Sequence, residues 1–258
     1  MVHVFASLWL SWQDNVSLST GDGRAVVTGP GSRITWRAVA REIVAAMRRL
    51  DSPGEEEQRL ADSVLAGGGV QSLARWYHHV DELRRRGLIR RSLHADGRPL
   101  ATVVPLRRDL GSSAPASSAA ASAPDFEHSY VLSRFAYVRR EGRELQLESP
   151  LAHALVVLHD PRAMALIAAL ATPMTTKLLA ERATEMSPSA VTSLVALLAE
   201  TRMIDQIGAD AAPVQNDQSA LNTWEFHDLM FHARSRPGRT DGQFGATYRL
   251  PHLSPPRP

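Results

Sequence analysis

Cysteine is absent from the 258-residue chain. That excludes disulfides, thiolate nucleophiles, cysteine-ligated zinc and iron–sulfur clusters together. An excess of one charge is also lacking: 29 lysines and arginines stand against 27 aspartates and glutamates, a net charge of +2. So small an excess makes no demand for a polyanionic partner. Lys177 is the only lysine, and the arginine and alanine surplus is read as a bias of the coding sequence before it is read as nucleic-acid binding. No run approaches the ~18 apolar residues of a membrane span; Ala163 to Ala171 reaches about half of that, so no membrane is expected. The start, Met-Val-His-Val-Phe, has neither a basic opening nor a small-residue cleavage site, so no signal peptide is expected and a cytoplasmic location is. What is present is 44% apolar and 22% charged, a globular composition with room for one large or two small cores.

Gly111 to Pro124 carries no charge and nothing larger than proline, so it reads as a flexible tether. A second compositional shift covers 208–221, and four prolines crowd the tail from Pro251. The expected division is a winged-helix-like domain over 1–110, a linker over 111–124, a second such domain over 125–207, a linker over 208–221, and a junction helix with its tail over 222–258.

The two domains read as copies of one pattern. In the second, Tyr130 to Arg139 and Leu145 to Glu148 flank Arg140-Glu141-Gly142-Arg143 as a hairpin, and Ala154 to Leu158 is a buried strand. Asp160-Pro161, Thr172-Pro173 and Ser187-Pro188 each open a helix. Met203 to Ile207 is a closing strand. In the first, strands over Leu8–Leu18 and Arg24–Thr28 surround Gly21-Asp22-Gly23; Thr35 caps a helix to Leu50; Ser52-Pro53 opens the next and Ser72 the third. Ser72, Val80, Leu83 and Ile89 map onto Ser187, Val195, Leu198 and Ile204 at one constant displacement. The expectation is an α+β chain of tandem winged helix-turn-helix domains.

Motifs that would carry catalysis are missing. No nucleophile elbow, Walker loop or dinucleotide fingerprint occurs. Gly67-Gly68-Gly69 lies between two helices without a preceding strand and reads as a turn. His78-His79 and the pair His227 and His232 have the wrong helical spacing to chelate jointly, so no metal is expected. Glu55-Glu56-Glu57 sits in a first helical turn, where the dipole favours it. No catalytic, cofactor-binding or metal residues are therefore assigned.

A strand edge beside an apolar helix is a place where an extended peptide can add. The candidates are Ala25, Val26 and Val27 with Trp76 and Tyr77 in the first copy, and Ala154 and Val156 with Val191 and Leu194 in the second. Against each stands the plainer reading that it is core. The basic cluster Arg84-Arg85-Arg86 with Arg90-Arg91 supplies the alternative, a DNA-binding regulator, although cations at a helix C-terminus also complement the dipole. Near the end of the chain, Trp224, His227, Asp228 and Phe231 share one face of a predicted helix, and Phe226, Leu229 and Met230 another; such a helix calls for a partner surface.

Trp224-Glu-Phe-His-Asp-Leu-Met-Phe-His-Ala-Arg-Ser-Arg236, followed by Phe244-Gly-Ala-Thr-Tyr-Arg249, resembles the junction segment of SagB-type peptide dehydrogenases. These are FMN-dependent azoline oxidases of thiazole/oxazole-modified peptide pathways, cyanobactin oxidases among them. Tyr130 to Arg140 and Leu147 to His153 resemble the domain before that junction. The resemblance implies peptide-clasp domains, also described as recognition elements, that hold the precursor leader peptide. It also implies a docking helix carrying Trp224, Phe226, His227, Phe231, Arg234 and Arg236. The nitroreductase-like FMN domain of the family has no counterpart in Pro251 to Pro258. FMN is therefore expected on a partner subunit or a missing domain rather than here, with a cyclodehydratase as a further partner and no nucleic acid.

Overall fold

A computed structural model describes residues 6–21, 23–106, 128–208, 212–213, 221 and 223–234. The chain runs through one order of elements twice. Strand β1 (Ser7–Trp12) leads into a meander of β2 (Ser17–Gly21), β3 (Arg24–Gly29) and β4 (Ser32–Arg37). Helix α1 (Arg41–Arg48), the two-residue β5 (Glu55–Glu56), helix α2 (Glu57–Arg85) and β6 (Ile89–Ala95) complete the first copy. Strand β7 (Arg98–Pro105) then makes a hairpin with β6. The second copy repeats the order with β8 (Ser129–Leu132), β9 (Tyr137–Glu141), β10 (Glu144–Glu148) and β11 (Ala154–Leu158). It continues through α3 (Pro161–Ala169), β12 (Met174–Thr175), α4 (Thr176–Arg182), α5 (Pro188–Glu200) and β13 (Ile204–Gln206). Helix α6 (Phe226–Arg234) follows.

Pairing repeats with the order: β1 lies between β5 and β6 as β8 lies between β12 and β13. Single hydrogen bonds recur as well. Trp12 N–H donates to Leu50 O at 2.9 Å, and Leu132 N–H to Leu170 O at 2.7 Å. Gln13 N–H reaches Leu88 O at 2.9 Å, and Ser133 N–H reaches Met203 O at 3.0 Å. Each terminal helix ends on a left-handed residue, Gly87 (φ 65°) after α2 and Arg202 (φ 57°) after α5. Glycine adopts that conformation freely; the arginine carries a steric cost in the same place.

The helices form for legible reasons. Asp160, Thr175 and Ser187 cap α3, α4 and α5 with side-chain oxygens that accept from Arg162, Leu178 and Ala190 N–H groups. Helix α2 is broken by Gly69, whose φ of 69° is non-helical. The preceding glycine permits close packing: a Cβ at Gly68 would stand 2.0 Å from Glu42 Oε1 and 2.2 Å from Ser72 Oγ. The turn expected at Gly67-Gly68-Gly69 is thus a kink between two helical segments.

Two cores form. Leu10, Met47, Leu60, Trp76 and Leu83 belong to one, and Leu147, Val156, Ile167, Val191 and Leu198 to the other. The copies are nevertheless fused, because β7 pairs with β11 and makes one seven-stranded sheet, β5-β1-β6-β7-β11-β10-β9. Leu93, Leu100 and Val103 of the β6–β7 hairpin pack in the second copy's core.

Four expected boundaries shift. Thr35 lies inside β4 rather than capping a helix; α1 begins at Arg41 after Ala40, which offers no side-chain cap. The helices expected from Ser52-Pro53 and Thr172-Pro173 begin only after β5 and β12, at Glu57 and Thr176. Ser72 sits within α2, its hydroxyl donating to Glu42 Oε1 at 2.5 Å. The segment 111–124 lies outside the described residues.

Candidate functional site

The meander β2-β3-β4 is a separate sheet with β4 at one edge. Gly29-Pro30-Gly31 turns the chain from β3 into β4, with Gly31 left-handed at φ 69°. Ala38 N–H donates to Gly23 O at 2.8 Å and fixes the phase of the ladder, continuing the register Arg24↔Arg37. Bonded and non-bonded pairs alternate in antiparallel strands. Ser32, Ile34 and Trp36 therefore bond back to β3, while Arg33, Thr35 and Arg37 turn their N–H and C=O groups outward. Among the described residues no strand meets them.

The equivalent edge in the second copy is filled. Strand β11 pairs with β10 as β4 pairs with β3, Leu147↔Val156 answering Val27↔Ile34. His159 N–H donates to Leu100 O at 3.1 Å and Leu106 N–H to His153 O at 2.9 Å. Leu155 and Val157 therefore bond outward to β7 in the phase that Arg33 and Thr35 leave open. Composition explains the difference. Ala-Leu-Val-Val-Leu is a strand built to be covered on both edges, whereas Ser-Arg-Ile-Thr-Trp-Arg carries charge on its outer face, as exposed edges do.

At the end of β4 lies an open groove of about 540 Å³ between Arg37, Val39 and Ile43 on one side and Gln71, Ala74 and Arg75 of α2 on the other. Trp36 ties strand to helix: its Nε1 donates to Glu82 Oε2 at 2.9 Å, and its ring lies 4.7 Å from that of His79. Burial, reinforced by His78, pushes the His79 imidazole below its ordinary pKa, and its Nδ1 is buried without a hydrogen-bond partner. Arg24, Arg33 and Arg37 are exposed, and none forms an ion pair among the described residues. Arg24 and Arg37 are direct cross-strand neighbours, an unfavourable like-charge pair unless an anion lies between them.

Most of the residues picked from sequence are packing rather than surface. Ala25, Val27, Trp76, Val156, Val191 and Leu194 are wholly buried. Val26 and Ala154 are half-buried, and Tyr77 is exposed at 46%. The edge residues Arg33, Thr35, Trp36 and Arg37 do not stand out in sequence, because Thr35 ahead of an apolar run reads as a helix cap. The Pro30-Gly31 turn followed by alternating Ser-Arg-Ile-Thr-Trp-Arg is the signal that identifies the strand.

The basic cluster offers no free cations for phosphate. Arg84 and Arg91 share Glu200 at 3.0 and 2.7 Å, Arg85 pairs with Asp81 at 2.9 Å, Arg86 with Glu82 at 3.1 Å, and Arg90 with Asp14. Glu200 is held below the usual carboxylate range despite its burial because those two guanidinium groups flank it. DNA binding is not favoured by such an arrangement.

In α6, Phe226 is half-buried and meets the Tyr137 ring edge-on at 5.5 Å, Leu229 is buried, and Phe231 is 81% exposed. Trp224, just before the helix, and His227 are exposed. Arg234 is the last helical residue, and Arg236 lies outside the described residues. Among the described residues no helix is long and apolar enough to cross a membrane.

The model of the cyanobactin oxidase ThcOx matches residues 130–241, and that of the ThcOx helix-turn-helix domain matches residues 4–112. No curated protein matches the chain. Four places among the described residues where a phosphate could sit are already taken. The space at Gly68 is filled by the Glu42 carboxylate and the Ser72 hydroxyl, and the N-termini of α3, α4 and α5 are satisfied by their own caps.

Proposed function

Because the chain belongs, over these two stretches, to the family of the cyanobactin oxidase ThcOx, we propose that it is the precursor-recognition part of an azoline oxidase. The two copies are tandem winged-helix domains of the peptide-clasp kind, and the first of them holds the leader of the precursor. Oxidation of thiazoline or oxazoline to the aromatic azole is carried out by FMN bound outside the described residues. Helix α6, with Phe231 exposed, and Trp224 just before it dock the recognition part onto that flavin unit.

One observation carries the reading: the open β4 edge, with the groove of α2 at its end. An extended leader segment adding there satisfies the outward N–H and C=O groups of Arg33, Thr35 and Arg37 and places side chains against Ala74 and Trp36. Backbone bonding supplies affinity and the groove supplies selection. The chain's own residues thus bind and orient; the redox step belongs to the flavin. Titrating the chain calorimetrically with the leader and the core of its precursor, separately, tests this. Leader binding with a dissociation constant on the order of micromolar is expected. Absence of heat from the leader, or equal binding of leader and core, overturns it.

A further inference from the structure

We infer that the segment held at the β4 edge is an acidic, extended peptide with carboxylates at alternate positions, and that each chain takes one such peptide. The inference deepens the recognition reading above and rests on it.

Strand β7 shows what an occupant of this edge looks like, since it lies on β11 in the position that is open on β4. It runs antiparallel, with Val104 opposite Leu155 and Thr102 opposite Val157 on one face. On the other face Val103 and Ala101, opposite Val156 and Leu158, turn into the core and are buried. The occupant therefore matches its edge residue by residue: small apolar side chains inward, and outward side chains suited to what they face. On β11 those are Leu155 and Val157. On β4 the corresponding residues are Arg33 and Thr35, with Arg37 in place of His159.

Carried over to β4, the match requires a different peptide. Positions opposite Ile34 and Trp36 turn to the face on which Trp36 meets Glu82 and His79 of α2, and take small apolar side chains. Positions opposite Arg33 and Arg37 face unpaired guanidinium groups, with Arg24 directly across from Arg37. Carboxylates there relieve the Arg24–Arg37 repulsion and make charge-assisted bonds. Among the described residues, Glu82 accepts from Trp36 and Arg86, and Glu42 accepts from Ser72, so neither acid is committed to these arginines. Stoichiometry follows from the same comparison: of the two equivalent edges the second copy's is filled by β7, and among the described residues β4 alone of that pair is open.

The test uses the full chain and three synthetic peptides of equal length: one alternating acidic and small apolar residues, the same peptide with lysine for each acid, and a scramble of the first. One equivalent of the alternating acidic peptide is expected to bind, about tenfold tighter than the lysine peptide at low salt, as two or three exposed ion pairs allow. The scramble should bind more weakly than the alternating form. The double variant R33E/R37E should reverse the preference between acid and lysine. T35P removes an outward N–H and should abolish binding of all three, with an unchanged far-ultraviolet circular dichroism spectrum showing that the fold is kept. Two equivalents per chain, equal affinity for acidic and lysine peptides, or an unchanged preference in R33E/R37E overturns the inference. If the precursor leader binds and T35P abolishes that binding while charge reversal does nothing, the inference fails and the recognition reading stands. If neither leader nor peptides bind, both fail.

Discussion

Two strands with the same place in a repeated fold have opposite fates. Strand β4 ends its sheet with charged residues turned outward, and β11 sits mid-sheet under β7. The scaffolds around them agree down to single backbone hydrogen bonds, so the scaffold does not decide which edge is free. Four side chains do. Leu155 and Val157 in an apolar strand make exposure costly and pairing favourable; Arg33 and Arg37 in the other keep a casual partner away. Among the described residues one copy thus keeps an open strand edge, and the other has the same edge filled.

The comparison can be broken first at the cores. Trp76 is wholly buried in α2, and Val191 occupies the matching place in α5. Trp76→Ala should cost about 3–5 kcal/mol, and Val191→Ala about 2 kcal/mol. Chemical denaturation of both variants checks this; equal losses would mean that the two cores are not equivalent. Next come the edges. Val157 offers its N–H to β7, whereas among the described residues the N–H of Thr35 meets no strand. Val157→Pro should therefore cost about 3 kcal/mol, while Thr35→Pro, on an open edge, should cost under about 1 kcal/mol. A comparable loss in both, measured by thermal melting, would show that β4 is covered.

The smallest effect concerns charges that have changed places. In the first copy Asp14 pairs with Arg90; in the second, Arg134 and Asp205 hold the matching positions with signs exchanged. Arg134 instead donates to Leu221 O at 2.6 Å and lies 4.5 Å over the Phe135 ring, so Asp205 gains little from it. Burial pushes the Asp205 carboxyl up to about 6 from an ordinary 3.8. A carboxyl with a raised folded-state pKa binds its proton more tightly when folded. Its contribution to stability is intact below pH ~3.8 and is lost as pH rises through about 6. Asp205→Asn should therefore stabilise the chain at pH 7 by about 1–2 kcal/mol and flatten the stability profile between those values. Asp14→Asn, at an exposed pair, should change stability by under about 0.5 kcal/mol at any pH. Denaturation midpoints of both variants across that range test the exchange.

How much of this was legible in the sequence follows from where the signals are local. Asp160, Ser187 and the proline after each announce their helices within two residues, and Ala154 to Leu158 declares a buried strand by composition alone. The duplication was visible as a displacement shared by Val80, Leu83 and Ile89. What was not legible depends on contacts far apart in sequence. Nothing near Thr102 or Val104 says that β7 crosses to β11, because apolar runs look alike whichever sheet they join. Thr35 before an apolar run looks like a helix cap unless the turn at Pro30-Gly31 is given more weight. Trp76 and Val191 looked like groove residues because a periodic apolar face does not say whether it meets a ligand or a core.

The shared hairpin of β6 and β7 has a further consequence for anyone who would divide the molecule. Its Leu93, Leu100 and Val103 serve the neighbouring core. A cut between the repeats would strip the later half of one wall and leave the earlier half with a sticky, greasy flap. The duplicated halves are therefore expected to melt in a single step, and recombination that exchanges one half for a cousin's must carry this flap along with whatever it covers.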